Sequence, residues 1–121
     1  MSETSHYELV RTFHEHIGAS IAVPPSPELL ALRSAFAREE GKELEEALAA
    51  ADLLAICDAL ADIVYVAYGT AVTLGIELDG AFHEVHRSNM SKDAAGDGKA
   101  VKGPRYTRPE LTPFLPQPPR G

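Results

Sequence analysis

Residues 52–74 read DLLAICDALADIVYVAYGTAVTL, and no other stretch constrains the fold of this chain as much. The run is long and alanine-rich, which predicts a helix, although IVYVAY within it is β-branched and aromatic enough to suggest a strand. A helix this apolar has to be covered on several sides. Yet Asp58 and Asp62 sit within it, four residues apart and so on one face. After Asp62 comes IVYVAYGTAVTLG, with no charge. Burying an unpaired carboxylate costs several kcal/mol or forces it to take up a proton. No Lys or Arg on this helix can pair with it, so a cation from outside the helix is one answer.

The preceding segment offers the matching half. Ser26 reads as an N-cap, Pro27 as the first helical residue and Glu28 as a first-turn acid. The helix that follows carries Leu29, Leu32, Phe36, Glu40, Glu43 and Ala47 at three- and four-residue spacing. In REEGKELEE (38–46), Glu40 and Glu43 therefore continue an apolar stripe, and Glu39 lies at its edge. Glu45 and Glu46 fall on the other side and read as solvent-facing. Two facing helices with acidic pairs form a hard-oxygen cage suited to Mg²⁺ or Mn²⁺. A solvated acidic face is the competing reading of the same spacing.

Two further helices complete an all-α chain. Ser5 with Glu8 caps a first helix running to about His16 and closed by Gly18, and a fourth runs from Leu78 or Asp79 to about Asn89. IAVPPSP (21–27) connects the first two helices, and Asp52 caps the third. Four helices in this length predict a bundle, in one domain spanning residues 1–121 with a helical core over about 5–90. From about residue 91 the sequence turns to Gly, Pro and charge, which predicts an irregular arm.

The charge balance is acidic, 18 Asp and Glu against 11 Lys and Arg, and argues against a nucleic-acid partner. No apolar stretch of about 18 residues is free of charge, so no membrane partner is expected. MSETSHYELV lacks the basic and apolar regions of a signal peptide, and a cytoplasmic protein is expected. Cys57, in LLAICDAL, is expected to be a buried thiol. HEVH (83–86) misses the zincin spacing by one residue, and the lone E-x-x-H, Glu3 to His6, cannot build a di-iron site.

The blocks LRSAFAREEGKELEEAL, DALADIVYVAYGTAVTLGI, FHEVHRSNMSK and DGKAVKGPRYTRP, in that order, resemble the all-α nucleoside triphosphate pyrophosphatases. That superfamily includes MazG-like enzymes, dimeric dUTPases and phosphoribosyl-ATP pyrophosphohydrolases. The resemblance implies a four-helix module assembling as a dimer or tetramer, and cleavage of a (d)NTP, dUTP or another non-standard nucleotide among the options, to a monophosphate and pyrophosphate. Its E-E-x-x-E half maps onto Glu39, Glu40 and Glu43, and the aspartate of its E-x-x-D half onto Asp62. The glutamate of that second half is absent: the position is Ala59, and Asp58 is the nearest carboxylate. By resemblance, Glu40, Glu43, Asp62 and Asp58 are the expected metal ligands, and Glu39 or Glu40 the expected base. Asn89, Lys92, Lys99 and Lys102 are candidate phosphate or sugar contacts. Phe13, His14 and Ile17 are expected near the base, with Tyr65 or Tyr68 as further candidates. The altered Ala59 position keeps a second reading open, that of a non-catalytic helical module that self-associates.

Overall fold

The computed structural model describes residues 4–116. Glu3 of the discounted E-x-x-H pair and residues 117–121 of the expected arm lie outside that range. The chain divides into two compact units, one running through Ile76 and the other starting at Glu77.

Three helices build the first unit: α1 (His6–Ile17), α2 (Pro27–Ala49) and α3 (Leu53–Leu74). The expected caps all form. The side chains of Ser5, Ser26 and Asp52 accept from the backbone N–H of Glu8, Leu29 and Ala55. Gly18 and Gly75 close α1 and α3 with φ of 72° at each. α2 and α3 run antiparallel side by side, and α1 packs on α3. His6 meets Tyr68 and Phe13 meets Tyr65 edge to face, with ring centroids 5.5 and 5.6 Å apart. The connection after α1 is not slack: the Ala22 and Val23 amides donate to the Val72 and Thr73 carbonyls in the last turn of α3.

The core of this unit is thin. Val10, Ala47, Ala59, Tyr68, Ala71 and Val72 are buried, whereas Leu53 and Leu54 are 80% and 82% exposed. α3 is apolar on more faces than α1 and α2 cover. The same surplus corrects the expectation for Cys57, which is exposed. By length and composition alone α3 would also suffice to cross a membrane, though Asp58 and Asp62 lie within it.

The second unit begins with α4 (Leu78–Met90), followed by a hairpin of β1 (Asp93–Gly96) and β2 (Lys99–Val101) and a 3-10 turn at Thr112–Phe114. The hairpin adds two short strands to the arm expected to be irregular. Asp97 and Gly98 form its two-residue turn with φ of 52° and 73°, the paired positive angles that Asp-Gly supplies most readily. Phe114 packs onto Gly80 so closely that a Cβ there would collide with its ring, and the Phe114 carbonyl accepts from the Glu77 amide at 2.8 Å.

Candidate functional site

Because α2 and α3 are antiparallel, the stripe that leads from Phe36 to Glu43 lies against the stretch of α3 that holds Asp62. One carboxylate oxygen each from Glu40, Glu43 and Asp62 comes within 4.8 Å of the others. None of the three is in an ion pair among the described residues. Glu40 is half-buried, and its Oε2 is buried with no hydrogen-bond partner. Among the described residues that is true of no other buried side-chain oxygen or nitrogen. Desolvation raises the pKa of the Glu40 carboxyl, and the negative charges of Glu43 and Asp62 push it the same way. Three convergent carboxylate oxygens, one of them unsatisfied, make a cluster that could hold a metal ion.

The other predicted carboxylates stand apart from this cluster. Glu39 is exposed beside it, and Asp58 is exposed and not among the converging groups. Ala59, where the superfamily pattern has a glutamate, is buried at 4% exposure. With Glu43, Glu46 and Asp58 it lines a shallow depression of about 310 Å³. The missing side chain therefore coincides with open space between α2 and α3.

Two turns away along both helices is a cavity of about 480 Å³. Phe13, His14 and Ile17, the residues expected near a base, line it together with Tyr65 and Phe36. Tyr68 instead belongs to the core, as its 8% exposure shows. His14 is nearly enclosed, and its Nδ1 lies 2.9 Å from the Ser20 carbonyl oxygen. A carbonyl only accepts, so Nδ1 carries the hydrogen. Arg33 also lines the cavity, and sequence reasoning missed it. Its Nε donates to Thr70 Oγ1 and a terminal nitrogen to the Val66 carbonyl, each at 2.9 Å. The guanidinium carbon lies 5.0 Å from the Phe36 ring centroid. Burial lowers the Arg33 pKa. A signal was present: Arg33 is a charge set among Leu29, Leu32 and Phe36 on the apolar stripe.

Asn89, Lys92, Lys99 and Lys102 all belong to the second unit. Asn89 is exposed at the end of α4 and Lys92 is half-buried just before β1. Lys99 and Lys102 are exposed at the hairpin, where the Lys102 ammonium lies 5.2 Å from the Tyr106 ring centroid. Arg87 is occupied: it makes two hydrogen bonds to Glu84 at 2.7 and 2.9 Å and donates to Thr107 and to the Arg108 carbonyl.

Capped helices that bring an E-x-x-E pair on one against an aspartate on its neighbour define the all-α, MazG-like class of nucleoside triphosphate pyrophosphatase folds. Residues 7–89 match the phosphoribosyl-ATP pyrophosphohydrolase family, and the chain belongs to that family. It is thus a pyrophosphohydrolase-type hydrolase by descent. No curated protein matches it.

Proposed function

We propose that this chain is a divalent-metal-dependent nucleoside triphosphate pyrophosphohydrolase that cleaves between the α- and β-phosphates. The observation that supports it most is the buried, unpartnered Glu40 Oε2 within the Glu40–Glu43–Asp62 cluster. Such a site is costly to leave as it is, and a cation resolves it. The donors are all carboxylate oxygens, which suits Mg²⁺, with Mn²⁺ as an alternative. When bound, such an ion supplies charge neutralisation of the polyphosphate and acidification of water.

The chain's own residues divide the remaining work. Glu40, Glu43 and Asp62 hold the ion, and Asp58 adds at most a contact through water. Glu39, exposed and adjacent, is free to accept a proton from the attacking water, with Glu40 as the other candidate. Asn89, Lys92, Lys99 and Lys102 are proposed to bind phosphates or sugar and to offset the leaving pyrophosphate's charge. The exposed apolar faces of α3 suit self-association into a dimer or tetramer, in a cytoplasmic protein. A species of single-chain mass by light scattering at micromolar concentration would contradict that assembly. The test of activity is a panel of ribo- and deoxynucleoside triphosphates, phosphoribosyl-ATP included, with pyrophosphate detection in Mg²⁺, in Mn²⁺ and in chelator. Metal-dependent pyrophosphate release is expected; its absence across the panel, together with no thermal stabilisation by either metal, would leave the non-catalytic module as the better account.

A further inference from the structure

We infer that the cavity between α1, α2 and α3 selects a nucleobase with a lactam edge, a carbonyl beside a ring N–H, as in uracil, thymine, guanine or hypoxanthine. This rests on the nucleotide hydrolase proposed above and adds the identity of the base.

His14 and Arg33 carry it. The tautomer that places Nδ1–H on the Ser20 carbonyl leaves a lone pair at Nε2. Arg33 offers only donors, and none of the described residues makes an ion pair with it. Its bonds to Thr70 and Val66 fix the guanidinium plane and leave the rest of the fork free. Both groups converge on Gly69: an Arg33 terminal nitrogen and His14 Nε2 each lie within 3.4 Å of where a Gly69 Cβ would be. A side chain at that position would collide with the guanidinium, so glycine is what lets Arg33, whose nearer terminal nitrogen also donates to Val66, lie beside His14. The cavity wall thus presents one cationic donor next to one neutral acceptor, between the aromatic rings of Phe13, Phe36 and Tyr65.

A lactam edge satisfies both groups with its strongest partners, the carbonyl oxygen against the cation and the acidic ring N–H against the lone pair. The edge of adenine or cytosine offers the same pair in reverse. It sets a ring nitrogen against the cation and a poorly acidic amino group against the lone pair. A free anion fits worse, because the Nε2 lone pair faces it. Position agrees: Arg33 precedes Glu40 by two helical turns on α2 and Gly69 follows Asp62 by two on α3, about 10 Å in each case. A nucleoside would then have its base in the cavity and its phosphates toward the carboxylates.

The experiment has two arms. With Mg²⁺, kcat/KM is measured for dUTP, dTTP, dGTP and dITP against dATP and dCTP. At least about a tenfold preference for the first group is expected. His14→Phe and Arg33→Met should bring the ratio within about threefold while hydrolysis persists. Equal or better use of adenine or cytosine nucleotides by the unmodified chain, phosphoribosyl-ATP included, overturns the inference while leaving a pyrophosphohydrolase. In the second arm, dUMP, dGMP, dAMP and dCMP are titrated into metal-free protein by NMR. The same tenfold order in Kd supports the cavity as a lactam site even if no triphosphate is cleaved, and equal or inverted affinities refute it.

Discussion

Glu40 in the first unit and Glu84 in the second are both half-buried helical glutamates, and their surroundings do opposite things to them. Glu84 is completed by its own unit. Arg87 grips it through two hydrogen bonds and the Glu110 amide donates to its Oε2 at 2.7 Å, so its pKa falls to about 2. Glu40 is surrounded by burial and by two more carboxylates, and its pKa rises. One glutamate is completed by its own unit, and the other keeps a buried oxygen without a hydrogen-bond partner. A buried charge whose partner is missing is a poor structural element and a good ligand.

The contrast breaks most visibly in catalysis. Asp62→Asn and Glu43→Gln should each lower turnover by at least about a hundredfold, with the helical circular dichroism unchanged, because each removes one of three converging donors. Metal binding comes next. Saturating Mg²⁺ or Mn²⁺ at about 100 times its Kd should stabilise the unmodified protein by about 2.7 kcal/mol, read as a rise in Tm that chelator abolishes. The same cations should leave Asp62→Asn where it was.

Smaller effects test the sign of the difference. In chelator, Glu40→Gln should raise Tm by a few degrees, since it removes a repelled charge, whereas Glu84→Gln should lower it. Acidity separates them too. Glu84 releases its proton more readily when folded, so its contribution to stability is present above the ordinary value of 4.5 and is lost as pH falls toward about 2. Glu40 holds its proton more tightly when folded, so in chelator stability falls as pH rises from the ordinary carboxylate range through its raised pKa. Carboxyl carbon chemical shifts followed by pH titration would show both. If Glu40 titrated below Glu84, the contrast would be lost.

What could be read from the sequence follows the same division between local and long-range causes. The helix limits were legible because Ser5, Ser26, Asp52, Gly18 and Gly75 act within one turn of where they stand. The juxtaposition of Glu40, Glu43 and Asp62 was suggested by three- and four-residue spacing, which fixes a helical face. Arg33 escaped notice because its partners, Val66 and Thr70, are more than thirty residues away and one of them is a backbone carbonyl. Glu84 and Glu110 are joined through a backbone amide, which carries no side-chain signal at all. Asp97-Gly98 is a hairpin signal, but the strands beside that turn are only four and three residues long and show no alternation that would mark them as strands. Cys57 was misplaced because an apolar neighbourhood in sequence does not ensure cover in space: only the faces of α3 that meet α1 or α2 are buried.

The smallest predicted effect concerns Asp58, the residue nearest to the missing glutamate. On a helix a ligand moved from three to four residues before Asp62 keeps roughly the same face, so substitution by Asp58 is sterically reasonable. Its side chain is nonetheless exposed and is not among the converging oxygens, and the space beside Ala59 is open. An aspartate is also one methylene shorter than the glutamate it would replace, so any contribution runs through water. Asp58→Ala should therefore change metal affinity and turnover by less than about threefold, measured by titration calorimetry and pyrophosphate release, the small effect of a ligand acting at second hand. A tenfold loss in both would make Asp58 a fourth ligand and enlarge the set of unpartnered acids that separates this site from Glu84. A loss in turnover with unchanged metal affinity would place it on the water instead. In the opposite direction, Ala59→Glu puts back the pattern's carboxylate into the depression, and tighter Mg²⁺ binding there with unaltered helical content would show that the first unit still has room for the ligand it lacks.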